Sequence, residues 1–91
     1  MDSRKLVVLL ESPMEDVGSV ELVRDAIDAG LRWSTPYWPE LAVGWLEQGA
    51  PMNAETMKLL ETVAGNGNFP QNLRHRAFAL ARRFEKSQSD K

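Results

Sequence analysis

One stretch gathers most of the residues that could carry acid–base chemistry. Residues 72–84, NLRHRAFALARRF, hold the only histidine of the chain and four of its eleven lysines and arginines. Nucleophilic acyl transfer needs a serine or threonine activated by a base that a third group orients. His75 is the one histidine base available, it stands between Arg74 and Arg76, and no GxSxG pattern surrounds any serine. We therefore expect a protein that is not an enzyme, with His75 as a surface or partner-contacting residue.

The sequence supports a metal or cofactor site as little as it supports catalysis. Zinc sites draw on clusters of Cys and His, and this chain has no cysteine and one histidine. Glu21, Asp25 and Asp28 share a face of a predicted helix, but such carboxylates are usually solvated or paired. The glycine-rich turn GNGNF at 65–69 lacks the Gly-Lys-Ser/Thr of a phosphate-binding loop. We expect no cofactor and no metal site.

Four aromatic residues lie close together in the first half of the chain. Trp38 and Trp45 are seven residues apart on one apolar stripe, which predicts core positions for both. Trp33 and Tyr37 fall in a predicted connection, where they could cover the core edge or contact a partner. Tryptophan and tyrosine are favoured anchors of protein interfaces. Trp33 and Tyr37 are therefore candidate partner-binding residues.

Charge is distributed unevenly along a chain whose net charge is only −2. Residues 1–69 hold five basic and eleven acidic residues, a balance of −6, whereas residues 70–86 hold five basic residues and one acidic residue, a balance of +4. Asymmetry of this kind can mark an interaction surface. The candidate partner-binding residues of the basic segment are Arg74, His75, Arg76, Arg82, Arg83 and Lys86.

Three interpretations of this basic segment stay open. The cations could be solvated or paired within the fold, they could bind an acidic protein partner, or they could bind nucleic acid. The acidic balance of the whole chain weakens long-range attraction to nucleic acid, and no helix-turn-helix signature is present. Nucleic acid is therefore the alternative to a protein partner.

Length and composition indicate one small globular domain. The chain has 91 residues, 43% apolar and 26% charged, which argues against disorder. Its longest apolar run, residues 6–10, is far shorter than the roughly 20 residues of a membrane span. That run is also too short for the apolar core of a secretory signal, so we expect no membrane association and a cytoplasmic protein. The domain is predicted to cover residues 1–86, with 87–91 as a frayed tail.

Helical periodicity predicts the second and third of five helices. Ser19 is placed as the N-cap of the second helix, and Gly30 as the left-handed residue just beyond its end. The third helix is predicted to begin near Pro39, which fits the first helical position with Trp38 outside the helix, and to end at Gly49.

The fourth and fifth helices follow from similar signals. Asn53 is the expected N-cap of the fourth helix, and the fifth begins after Pro70. On the fifth helix the apolar residues fall in one narrow sector, and the basic residues fall opposite to it. The apolar sector consists of Leu73, Ala77, Leu80, Ala81 and Phe84.

The first segment, residues 5–11, is ambiguous between a buried helix and a buried strand. No other segment alternates convincingly, so a strand would need a second copy of the chain to pair with. We favour the helix. A homodimer that buries residues 6–10 or the aromatic segment stays open, as does a small ligand bound between helices.

These observations predict an all-α fold, a compact bundle or short solenoid-like stack of four to five antiparallel helices. Within it we expect a small non-catalytic protein-interaction module, such as an inhibitor, an adaptor or an immunity-type protein. It would bind an acidic protein partner through the basic face of the last helix and the Trp33–Tyr37 connection.

Overall fold

A computed structural model describes residues 3–89, and those residues contain helices and turns but no strand. The predicted all-α fold with five helices is confirmed. Two short 3₁₀ turns, at Leu9–Glu11 and Met14–Asp16, separate the first helix from the second. The helices are α1 Ser3–Val8, α2 Val20–Leu31, α3 Tyr37–Glu47, α4 Ala54–Ala64 and α5 Gln71–Ser89.

The ambiguous first segment is helical. α1 continues into the first 3₁₀ turn. Two residues of the apolar run point into the core. Val7 and Leu10 are 1% and 2% exposed, whereas Val8 is 54% exposed. One inward stripe is therefore enough to anchor the segment, and the strand alternative is wrong.

The start of α2 is as predicted, but its end is not. The Ser19 side chain accepts a hydrogen bond of 3.3 Å from the backbone N–H of Leu22. Gly30, however, lies inside the helix and is buried. A Cβ atom placed there would stand 2.6 Å from Leu10 Cδ1 and 3.2 Å from the carbonyl oxygen of Trp38. Gly30 is therefore required by the close approach of neighbouring segments and not by a left-handed backbone.

α3 begins two residues earlier than predicted. Pro36 is its N-cap, and Trp38 and Pro39 both belong to the first turn. A proline there removes an N–H that has no intrahelical partner, and its ring faces a carbonyl that lies outside the helix. The predicted start at Pro39 is therefore wrong. The predicted end is confirmed, because Gly49 has a φ of 106°, a conformation that glycine adopts without strain.

α4 and α5 form the second half of the stack. The Asn53 side chain accepts a hydrogen bond of 2.9 Å from the backbone N–H of Thr56, as expected of an N-cap. On α5 the predicted apolar sector faces inward, with Phe84 half-buried and the other four members buried. α5 continues to Ser89, into the segment predicted to fray. Asp90 and Lys91 lie outside the described residues, so fraying stays a prediction.

Three pairs of helices that are adjacent in the chain pack against each other. α1 packs on α2, α2 on α3 and α4 on α5, while α2–α4 and α3–α5 contacts join the two halves. One buried cluster contains residues from all five helices. The described residues measure 33 × 32 × 19 Å, so the stack is flat.

Candidate interaction surface

α5 presents its basic residues in more than one direction. His75, Arg82, Arg83 and Lys86 are exposed on the side opposite the buried sector. We call these four residues the α5 basic face. On a helix with 3.6 residues per turn, His75, Arg82 and Lys86 point in nearly the same direction, and Arg83 lies beside them on the flank nearer Arg76. The helical pattern predicts Arg76 on this surface too, but Arg76 is half-buried and pairs with Glu47, so that placement is wrong. The partner-binding role of the other four residues stays a prediction.

Arg76 does not belong to the α5 basic face, because its side chain points towards α3. Its Nε and Nη2 atoms donate hydrogen bonds of 3.1 and 2.7 Å to the two carboxylate oxygens of Glu47, the last residue of α3. Such bidentate pairs are stronger and better oriented than single contacts. The hydrogen bonds lower the pKa of Glu47 and raise the pKa of Arg76. Arg76 thus joins α5 to α3 within the fold.

Arg74 also differs from the exposed cations. Its side chain is half-buried, and its Nε atom is fully buried without a hydrogen-bond partner. A buried donor without a partner is unfavourable. Arg74 is therefore a poorer partner-contacting residue than the four members of the α5 basic face.

Arg82 lies over the exposed ring of Phe78, one turn earlier on α5. The distance from the guanidinium carbon to the ring centroid is 5.6 Å, which is within cation–π range, and Phe78 is 53% exposed. Arg83 is close enough to Glu47 to contribute to the lowering of its pKa, after the larger contribution of the Arg76 hydrogen bonds. The α5 basic face therefore combines charge with one exposed aromatic ring.

The aromatic residues form a second group at the start of α3. Trp38 packs edge-to-face against both Trp33 and Tyr37, with ring centroids 6.5 and 4.7 Å away. The Tyr37 hydroxyl donates a hydrogen bond to the Glu11 carboxylate, which raises the pKa of Tyr37. Tyr37 is 52% exposed and Trp33 is partly buried. The core position predicted for Trp45 is confirmed, whereas Trp38 is only half-buried at the core edge.

The fold does not merge the two predicted contact regions into one patch. Trp33 and Tyr37 lie at the beginning of α3, beside the first 3₁₀ turn, whereas Arg76 reaches its end at Glu47. Arg83 also acts on Glu47, so α5 approaches α3 at the end remote from Tyr37. The outer side of α3 lies between the two regions.

An open groove of about 420 Å³ lies between α3, residues 10–13 and Arg76 of α5. We call it the α3 groove. Its floor consists of the buried or half-buried residues Leu10, Leu41, Gly44 and Trp45, and its rim includes the exposed Glu11 and Glu40 with Arg76. This groove was not predicted from the sequence. The available signal was Gly44, a glycine in the interior of a helix, where it costs about 1 kcal/mol relative to alanine.

The acidic residues of α2 are partly engaged within the fold. Thr56 donates a hydrogen bond of 3.4 Å to Asp28, and burial raises the pKa of Asp28 despite this contact. Arg32 forms an ion pair of 2.8 Å with Glu55 nearby. Across residues 3–89, no three His, Cys, Asp or Glu side chains are grouped as metal ligands would be.

Within the part of the chain that the structure describes, no helix is both long and apolar enough to cross a membrane. The chain matches no protein-family model, no curated protein and no solved structure.

Proposed function

We propose that this chain is a small non-catalytic protein-interaction module that binds an acidic protein segment through the α5 basic face. One observation carries the proposal. Arg82 and Arg83 are adjacent, exposed and directed away from the core, on the same side of α5 as His75 and Lys86. The ion pair between α5 and α3 uses Arg76, which is not a member of the α5 basic face.

The chemistry of this face favours carboxylates with a neighbouring apolar group. Arginine binds carboxylates in a bidentate manner, and it is one of the residues that dominate binding energy at interfaces. The exposed ring of Phe78 beneath Arg82 adds apolar area beside the charge. An acidic segment with an aromatic or aliphatic residue would match both features. A cytosolic location belongs to the same proposal and is supported by the cysteine-free composition.

Trp33 and Tyr37 are proposed as a second contact for the same partner. Because they lie at the far end of α3 from Glu47, a partner that touches both regions must extend along α3. The half-exposed Tyr37 ring is the member of the pair that offers more surface. Because these aromatic residues are the second contact, removal of the Tyr37 ring should weaken partner binding less than removal of the arginines of the α5 basic face.

The test uses a tagged full-length chain as bait in a lysate, with and without nuclease. In the test variant Arg82→Glu is combined with Arg83→Glu. The matched control combines Arg24→Glu with Lys58→Glu, two exposed residues outside α5, and has the same change in net charge. The proposal expects one stoichiometric protein that survives nuclease and the control changes. Its affinity should fall by about tenfold or more in the test variant, since like charges would then face each other.

Two outcomes would overturn the proposal. A protein retained equally by the test variant would show that binding occurs elsewhere. Loss of all partners on nuclease treatment would favour the nucleic-acid alternative. In that case the logarithm of affinity should fall with the logarithm of salt concentration, with a slope of about −0.9 for each phosphate neutralised. Circular dichroism of both variants should be unchanged, because neither pair of residues is buried.

A further inference from the structure

Two glycines lie in helix interiors, and the fold explains only one of them. Gly30 is needed because a side chain there would collide with Leu10, Trp38 and Ala42. At Gly44 the only heavy atom near an added Cβ would be Arg76 Nη2, at 3.9 Å, which is an ordinary van der Waals contact. Alanine would fit at position 44 and would favour the helix. The glycine therefore has no steric reason within the described chain.

Gly44 lies in the floor of the α3 groove, where the absence of a side chain exposes helix backbone. Leu10, Leu41 and Trp45 line the groove beside it. Glycine at such a position is typical of sites where another group approaches the backbone closely. Positions where a sequence departs from local helix preference without a structural reason are the expected places for function. This departure coincides with an open groove that no described residue fills over Gly44, which favours an approaching group that belongs to a binding partner.

The rim of the groove indicates the charge of that group. The Glu11 carboxylate is held in place by the Tyr37 hydroxyl, and Glu40 is exposed on the helix turn before Gly44. The one cation on the rim, Arg76, has its charge balanced by the bidentate pair with Glu47. The available charge at the rim is therefore negative, opposite in sign to that of the α5 basic face.

We propose that the α3 groove binds a segment of a partner protein that places an apolar side chain over Gly44 and a lysine or arginine beside Glu11 and Glu40. The apolar floor would supply burial, and the carboxylates would orient the cation. This site is separate in place and in charge from the α5 basic face, and it does not depend on the proposed function of that face.

The probe is a phage-displayed library of random dodecapeptides, selected on the intact wild-type chain. The proposal expects selected peptides to carry a lysine or arginine next to a large apolar residue. Gly44→Ala should weaken binding of a selected peptide by about tenfold or more, because one added methyl group obstructs the floor. Glu40→Gln should weaken it as well. Gly67→Ala is the matched control, since a Cβ there meets nothing within 4 Å and Gly67 lies outside the groove; it should leave binding unchanged.

Stability provides a second readout that separates obstruction from misfolding. Gly44→Ala should raise Tm by about 4 °C while it weakens binding, because alanine favours the helix. Selection of no peptide, selection of acidic peptides, or equal affinity for the wild type and Gly44→Ala would each overturn the proposal. Selected peptides should still bind the Arg82→Glu, Arg83→Glu variant, so a failure of this site and a failure of the α5 basic face are distinguishable.

Discussion

At the scale of single residues, the pair between Glu47 and Arg76 should make stability depend on pH. The hydrogen bonds from Arg76 lower the pKa of Glu47 from its ordinary value of 4.5. Its contribution is therefore present above pH 4.5 and is lost as the pH falls through the lowered pKa. We expect Glu47→Gln to reduce the free energy of unfolding by roughly 0.5–1 kcal/mol at neutral pH, since the pair is partly exposed. Urea titrations at several pH values should show that the difference in unfolding free energy between the wild type and Glu47→Gln becomes smaller in acid.

Asp28 provides a control with the opposite sign. Burial raises its pKa above the ordinary value of 3.8, so the folded chain holds this proton more tightly than the unfolded chain. The resulting stabilisation is present in acid and is lost as the pH rises through the raised pKa. Asp28→Asn should therefore gain stability relative to the wild type as the pH rises. Parallel pH trends for the two variants would contradict one of the two assignments, and the direction of the shared trend would show which.

At the scale of helices and their contacts, Gly30 should be more sensitive to substitution than any other helical glycine of the described chain. Gly30→Ala would place a Cβ 3.2 Å from a backbone carbonyl of α3 and 3.3 Å from the Cβ of Ala42. Overpacking of this kind usually costs about 1–3 kcal/mol, which exceeds the gain in helix propensity. Chemical denaturation of Gly30→Ala and Gly44→Ala should therefore give changes in stability of opposite sign. A stabilised Gly30→Ala variant would show that α2 and α3 are less tightly packed than described.

The same contacts show how far a sequence can predict this fold. Ser19, Asn53 and the apolar stripes were predictable, because caps and helical periodicity are local properties. The role of Gly30 was mistaken, because a left-handed turn and a close helix approach both require glycine. Only tertiary packing distinguishes them.

The candidate surfaces also contain some features that helical spacing predicts and others that only tertiary packing shows. The grouping of His75, Arg82, Arg83 and Lys86 follows from helical spacing and could be predicted. The pairing of Arg76 with Glu47 joins residues 29 positions apart, and no local pattern indicates it. The α3 groove likewise requires Leu10 and Arg76 to meet α3 from distant parts of the chain.

At the scale of the whole molecule, one shared core should make unfolding cooperative. Each helix contributes a side chain that is at most 1% exposed: Val7, Ile27, Val43, Leu60 and Leu73. All three tryptophans lie between residues 33 and 45, so their fluorescence reports on the first half of the stack. Circular dichroism reports on all the helices. We expect the two signals to give the same urea midpoint. Separate midpoints would show that α4 and α5 unfold as an independent unit.

The order in which helices pack has a consequence for the synthesis of the chain. Because α1, α2 and α3 pack on their chain neighbours, their contacts can form as soon as residue 47 has left the ribosome. Leu10, Leu41, Gly44 and Trp45 are then in place, but the wall that contains Arg76 comes from α5, which is made after α3 and α4. A nascent chain without α5 therefore carries an incomplete α3 groove, and synthesis of α5 becomes a condition for recognition at that site.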